Sequence, residues 1–182
     1  MPHRPYCRAL LAASALLAGS AQALQLHSPD LQDGAPLGNA QVYNGFGCNG
    51  ANLSPQLDWQ DVPAGTQSFA VTIHDPDAPT GGSGWWHWQV YDMAASVRQL
   101  PRGASAQTLP TGSRQGRNDY GSASFGGACP PPGAPAHRYV ITVHALKVAQ
   151  LQAPADASAA LLGYLINSQS LASASLTPRY GR

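Results

Sequence analysis

The strand-forming run Ser68-Phe69-Ala70-Val71-Thr72-Ile73-His74 leads straight into Asp75-Pro76-Asp77-Ala78-Pro79, and that junction limits the fold more than any other stretch. Phe69, Val71 and Ile73 alternate as the buried face of a strand. Two prolines so close together extend neither a ladder nor a helix. Two carboxylates therefore sit at a sheet end, in a stiff turn. After the glycine-rich turn at Gly81-Gly82-Ser83-Gly84 comes the aromatic run Trp85-Trp86-His87-Trp88, and later Cys129-Pro130-Pro131-Pro132-Gly133 leads into His137-Arg138-Tyr139. These three pieces read as the walls of one small polar pocket, whose prolines and glycines hold its backbone in a fixed, non-regular shape.

A chain of 182 residues suits one domain with a real core. Arg4 and Arg8 precede the apolar run from Ala9 to Ala18, and Ala21-Gln22-Ala23 forms a small-residue exit. This is the pattern of a cleaved signal peptide over residues 1–23, with a run shorter than the roughly 20 residues that span a bilayer. The mature chain, 24–182, is expected to be exported across the inner membrane to the periplasm. Ten basic residues less Arg4 and Arg8 leave eight against nine acids, a net charge of about −1. Charged residues are 10% of the chain, against roughly 25% in an average domain. No basic patch exists to meet a phosphate backbone or an acidic membrane surface, so nucleic acid is not an expected partner.

Export makes the cysteines informative. Cys7 leaves with the signal, and Cys48 and Cys129 remain to pair in an oxidising compartment, the alternative being two buried free thiols. Such a bond closes a loop of about 80 residues, for which chain entropy gives roughly 4.5 kcal/mol before strain. Neither cysteine has zinc-site spacing.

Along the chain, 24–44 is turn-rich and holds a short edge strand or two, 45–55 is a tight Gly/Asn loop, and Leu57 and Trp59 alternate. Alternation in the run from Trp86 to Met93 places Trp86, Trp88 and Val90 on one face and His87, Gln89 and Tyr91 on the other. A third strand, Tyr139 to Leu146, extends backwards so that His137, Tyr139, Ile141 and Val143 share a face. The stretch from Pro101 to Ala128 reads as a long ordered loop, best defined at Arg117-Asn118-Asp119-Tyr120-Gly121. One main helix is expected between about Ala157 and Ser173, with a break near Asn167 to Ser170 as the alternative, Asp156 as N-cap, and Leu161, Leu162, Leu165 and Ile166 as its apolar stripe. A short strand over 176–180 closes the chain.

Asp75, Asp77, His87 and His137 admit three chemistries. A metal site is one, although the ligands are scattered singly without an H-E-x-x-H or H-x-H pair. Hydrolysis is another, with a serine or cysteine activated by histidine and aspartate, although there is no G-x-S-x-G elbow. The third is anion binding, in which two imidazoles, a tyrosine hydroxyl and backbone N–H groups donate to a phosphate-like group while Asp75 orients an imidazole. Each histidine beside tryptophans also has a plain reading as a satisfied core group.

The residues resemble a known family. Asp75 to Pro79, Gly84-Trp85-Trp86-His87-Trp88, Asn118-Asp119-Tyr120-Gly121, Gly126-Gly127-Ala128-Cys129-Pro130-Pro131 and His137-Arg138-Tyr139 are similar, in order and spacing, to the phosphatidylethanolamine-binding proteins. The loop around Cys48 and Asn52-Leu53-Ser54-Pro55 resembles the bacterial branch called Raf-kinase-inhibitor-like. The resemblance implies a mainly β fold, with a large antiparallel sheet packed with a smaller sheet and a few peripheral helices. It implies an anion pocket at Asp75, Pro79, His87, Cys129, Pro130, His137 and Tyr139, and Asp77 is expected among the ligand-binding residues as well. No cofactor and no metal are expected.

Members of that family bind phospholipid headgroups and nucleotides, inhibit kinases, or inhibit a serine carboxypeptidase, so fold alone does not select the job. The expected function is an exported, non-catalytic binding protein for a small anionic ligand. An inhibitor acting on a protein partner through the pocket rim, such as an extracytoplasmic hydrolase, comes second, and a hydrolase third.

Overall fold

The computed structural model describes residues 23–182, and the expected signal segment lies outside the described residues except for its last position. In chain order the strands are β1 (Gln25–His27), β2 (Asn44–Gly45), β3 (Cys48–Asn49), β4 (Leu57–Gln60), β5 (Ser68–Asp75) and β6 (Trp85–Ala94). They continue with β7 (Gln99–Leu100), β8 (Arg114–Gln115), β9 (His137–Arg138), β10 (Val140–Leu146), β11 (Ser170–Leu176) and β12 (Arg179–Tyr180), and one helix, α1 (Ala159–Gln169), falls between β10 and β11.

The three longest alternating runs lie near the centre because each can bury a face. β5 is the middle strand of an antiparallel sheet ordered β11-β10-β5-β6-β8. Phe69, Val71 and Ile73 of β5, Ile141 and Val143 of β10, and Trp88 and Val90 of β6 share one core. The smaller antiparallel sheet β1-β4-β7 covers that face with Leu26, Leu57, Trp59 and Leu100. Trp59 meets Phe69 at 5.4 Å between ring centroids. Each large apolar side chain buried here contributes about 1.5–3 kcal/mol. The architecture is mainly β with a large sheet on a smaller one, as expected. Where a few helices were expected, the described residues hold one α-helix and a single 3-10 turn, Asn39–Gln41.

On the other face of the large sheet, Leu162 and Ile166 of α1 pack with Ala70, Tyr91, Leu146 and Leu151. The cap is Ser158, not Asp156: its hydroxyl accepts from the Leu161 N–H at 3.2 Å. The helix also stops short of Ser173, within the stretch near Asn167 to Ser170 where a break was the alternative. Ser170 turns extended, and Ser170–Leu176 pairs along β10 as the edge strand β11. A Ser/Ala-rich run has little apolar stripe to hold it as helix, while the ladder satisfies its backbone and Thr142 bonds Ser175 at 2.8 Å. The closing strand is correspondingly shorter than expected, since Leu176 belongs to β11 and only Arg179–Tyr180 forms β12, against β9.

Cys48 and Cys129 are bonded, and the bridge ties β3 to the start of the proline-rich segment across 81 positions. A constraint over so long a loop acts mainly on the unfolded chain. Changing both cysteines to alanine is expected to lower stability by about 2–4 kcal/mol, and reduction of the unaltered protein to lower its Tm by several degrees. Thermal melts with and without reductant, and thiol titration of the denatured protein, check this; two free thiols in protein from an oxidising compartment would contradict the bridge.

Candidate functional site

The site begins with a fault in the β5–β6 ladder. Ile73 pairs with Trp88 but His74 with Trp86, so His87 is an extra residue opposite no partner, a β-bulge. Strict alternation groups Trp86 with Trp88 and His87 with Gln89, and the bulge corrects both groupings. Trp86 goes to the helix side, where it packs on Gly163 and lies 4.3 Å from the His74 ring. Gln89 is also on that side, donating to the Ala159 carbonyl at 2.9 Å. His87 turns to the core side with Ile73, Tyr139 and Ile141.

The long loop satisfies the backbone that the bulge frees. The His87 carbonyl accepts from the Gly126 N–H at 3.0 Å and the Asn118 amide at 3.3 Å. Trp86 exchanges bonds with Asp119, its N–H donating to the carboxylate at 2.7 Å and its carbonyl accepting the Asp119 N–H at 3.0 Å. Gly126 has no room for a side chain, because a Cβ there would strike the Tyr120 ring.

Asp75 ends β5 almost fully buried. One of its oxygens accepts the Asp77 N–H at 2.8 Å, so the Pro76 turn closes on its own first residue. The other lies 2.7 Å from His137 Nδ1, which donates to it. Asp77 points elsewhere: it takes the Arg138 N–H, Nε and Nη2 at 2.7–2.9 Å, and those bonds hold its carboxyl down at about 2. Asp77 thus clamps the strand that carries His137 and does not line the cavity.

Asp75, Pro79, His87, Cys129, Pro130, His137 and Tyr139 do line one cavity, of about 290 Å³. Its wall also includes Phe46, Trp85 and Tyr120, which the strand pattern did not single out. Tyr120 was legible only as part of the Asn118 to Gly121 motif. Its ring stacks on Tyr43 at 4.1 Å and its hydroxyl donates to the Gly127 carbonyl at 2.9 Å. Burial raises the pKa of both Tyr120 and Tyr139 far beyond the phenol range, so each hydroxyl keeps its proton. The Tyr139 hydroxyl is buried without a partner.

Among the described residues no lysine or arginine lines this cavity. Near its rim, Arg182 donates to the carbonyls of Pro130, Gly47 and Phe46 at 2.7–3.2 Å. His87 differs from the donor role expected of it. Its Nδ1 lies 2.8 Å from the Gly126 carbonyl and must carry the hydrogen, while burial holds the ring's pKa down to about 4. The neutral ring therefore has a lone pair at Nε2, which is buried and unpartnered. His87 and Tyr139 also share a second chamber of about 10 Å³, room for a single water. Among the described residues no group of three or more His, Cys, Asp or Glu is placed to hold a metal.

Residues 27–181 match the profile of the family described as phosphatidylethanolamine-binding protein. The chain belongs to the phosphatidylethanolamine-binding protein family. It is 50% identical to the UPF0098 protein YbcL of Escherichia coli K12 over 163 residues, 88% of either chain. It is 48% identical to YbhB of the same organism over 159 residues, 86% of this chain and 99% of that one. The crystal structure of E. coli YbcL, described as a new member of the mammalian PEBP family, matches with a TM-score of 0.85 at 48% identity. That match covers 88% of this chain and 99% of the other.

Two buried histidines make stability depend on pH. His144, on the helix side of the sheet, is held near 4 by burial, as His87 is. As pH falls below about 6.5 the unfolded rings bind protons that the folded rings do not bind until about 4, so stability declines through that window. Each ring accounts for a loss on the order of 3 kcal/mol. The Tm is expected to fall steadily from about pH 6.5 to 4.5, and His144→Gln, which takes up no proton, to flatten the slope by roughly half. Thermal melts across that range check it, and a flat profile in the unaltered protein would contradict neutral buried rings.

Proposed function

We propose that residues 24–182 form one exported, non-catalytic binding domain whose cavity takes a small anion, a phosphate- or phospholipid-headgroup-like group. The observation that carries this is a buried hydroxyl, Tyr139, left without a protein partner on the wall of a cavity where Asp75 also holds the His137 ring in place. A buried donor without an acceptor costs about 1–3 kcal/mol, which an anionic oxygen relieves. Asp75 accepts the Nδ1–H of His137 and so fixes the orientation of that ring on the cavity wall.

Groups that serve as nucleophiles elsewhere are occupied. The Cys129 sulfur is bridged, the Thr80 hydroxyl donates to the Gly84 carbonyl at 3.1 Å, and the two tyrosines keep their protons. The leader pattern and the disulfide both support an oxidising, extracytoplasmic location. Among the described residues no helix is long and apolar enough to cross a membrane.

A second reading, inhibition of an extracytoplasmic hydrolase through the rim, rests on Phe46. This ring is 71% exposed beside the cavity and leans on Tyr43 and Tyr120 at 5.8 and 5.7 Å. An exposed aromatic on a rigid base is what a protein contact uses as an anchor.

Calorimetric titration of inorganic phosphate at about pH 6 tests the anion reading. His137→Ala and Asp75→Asn are each expected to weaken binding by about 1–3 kcal/mol, the range for hydrogen bonds to charged groups. Undiminished affinity in both the His137 and Asp75 variants would place the anion outside this cavity.

A further inference from the structure

If the cavity is the anion site, one of its atoms meets such an ion with the wrong polarity. The Gly126 carbonyl takes the Nδ1–H of His87 at 2.8 Å, so the neutral ring has a lone pair at Nε2. That nitrogen is buried without a partner, and so is the hydroxyl of Tyr139, whose ring stands edge-on to it at 5.1 Å between centroids. An unmet acceptor and an unmet donor on neighbouring rings complement an oxyacid that still carries one proton. A fully ionised oxyanion turns only lone pairs towards Nε2.

On the strength of the anion reading, we propose that the cavity selects the monoprotonated form of a phosphate monoester over phosphodiesters and sulfate. The ligand's own P–O–H donates to His87 Nε2, and an ionised oxygen accepts from the Tyr139 hydroxyl. The proton comes from solvent when the dianion is the species in solution.

Charge points the same way. The cavity has the Asp75 carboxylate in its wall and no lysine or arginine there, so a second negative charge on the ligand is disfavoured. The titratable groups around His87 are Asp75 on β5, His137 on β9, Tyr139, Tyr120 of the long loop at 5.6 Å between centroids, and His74. Asp75 favours a charged His87 ring, but burial outweighs it and holds the ring neutral to about pH 4. A phosphate monoester gains its second proton near pH 6, so the ligand takes the proton before the ring does as pH falls.

Calorimetry in two buffers of different ionisation enthalpy counts protons taken up with each probe: methyl phosphate, dimethyl phosphate and sulfate. At about pH 7.5, methyl phosphate is expected to bind with uptake of about one proton, its affinity falling about tenfold per pH unit from 7 to 8.5. Dimethyl phosphate and sulfate should bind at least about tenfold more weakly, because only a protonated His87 ring can meet them. His87→Gln, whose amide offers an N–H, should abolish both the proton uptake and the discrimination. His137→Gln should weaken every probe while methyl phosphate still takes up its proton. Long-range nitrogen–proton spectra should keep His87 in the Nδ1–H tautomer with and without methyl phosphate.

Vesicles of phosphatidic acid in phosphatidylcholine present the same monoester on a lipid. Co-sedimentation released by methyl phosphate would support the proposal with the lipid as source, and methyl phosphate binding without co-sedimentation would support it with the free monoester. Equal affinity for methyl phosphate and sulfate, with no proton uptake, would overturn it and leave Nε2 to a water in the small chamber beside Gln41. Uptake that persists in His87→Gln and vanishes in His137→Gln would overturn it by placing the proton on His137. If no probe binds between about pH 5 and 8, the anion reading falls and this selection with it.

Discussion

A carboxylate with almost no access to water sits at the end of the middle strand, and much of the local architecture answers to it. Asp75 has no lysine or arginine bonded to it, and an unsatisfied buried charge costs several kcal/mol. Its oxygens are met instead by the Asp77 N–H and by His137 from 62 positions away. The first partner needs the tight Asp-Pro-Asp turn, and the second needs β9 brought alongside that turn. Arg138, the next residue after His137, grips Asp77 in return. A sheet end, a turn and a distant strand are thereby fixed by one group, and the imidazole is oriented before any ligand arrives.

The bulge at His87 is the second determinant, because it moves an imidazole from the helix side of the sheet to the core side. A ladder with an extra residue leaves backbone groups to be satisfied, and the loop from Pro101 to Ala128 supplies the partners through Asn118, Asp119 and Gly126. That explains why so long a segment with little regular structure is ordered: its polar groups are part of the ladder's accounting. The Cys48–Cys129 bridge fastens the far end of the same segment.

Much of this was legible in the sequence, for identifiable reasons. Alternation over Phe69, Val71 and Ile73, and over His137, Tyr139, Ile141 and Val143, was correct because those strands pair along β5–β10 without a slip. The same rule failed at Trp86–Trp88, because a bulge leaves no mark in a run of aromatic residues; only the pairing partner reveals it. The helix was placed but overrun by four residues, since Ser170–Ser173 favours neither state locally and the exposed edge of β10 decides. The cysteine pair followed from counting once export was assumed. Asp77 was grouped with Asp75 because both belong to one motif, yet adjacent turn residues face different neighbours, and Arg138 captured it. Tyr120 and Phe46 lie in loops without periodicity, so only the family resemblance, for Tyr120, pointed towards them.

On the proposed anion reading, a cavity whose described lining holds no lysine or arginine selects by shape and hydrogen-bond polarity. A lysine or arginine cluster attracts any anion, with an affinity that salt erodes. Donors and acceptors fixed beforehand discriminate by where hydrogens sit, and they need little ordering on binding. The proline-rich segment, the disulfide and the bulge restrict the backbone at three sides of the cavity. Buried polar atoms without protein partners, His87 Nε2 and the Tyr139 hydroxyl among them, cost stability. The core between the two sheets is where that cost is offset: Tyr139 belongs to both the core and the cavity wall, and Ile73 and Ile141 of the core line the small chamber that His87 and Tyr139 share.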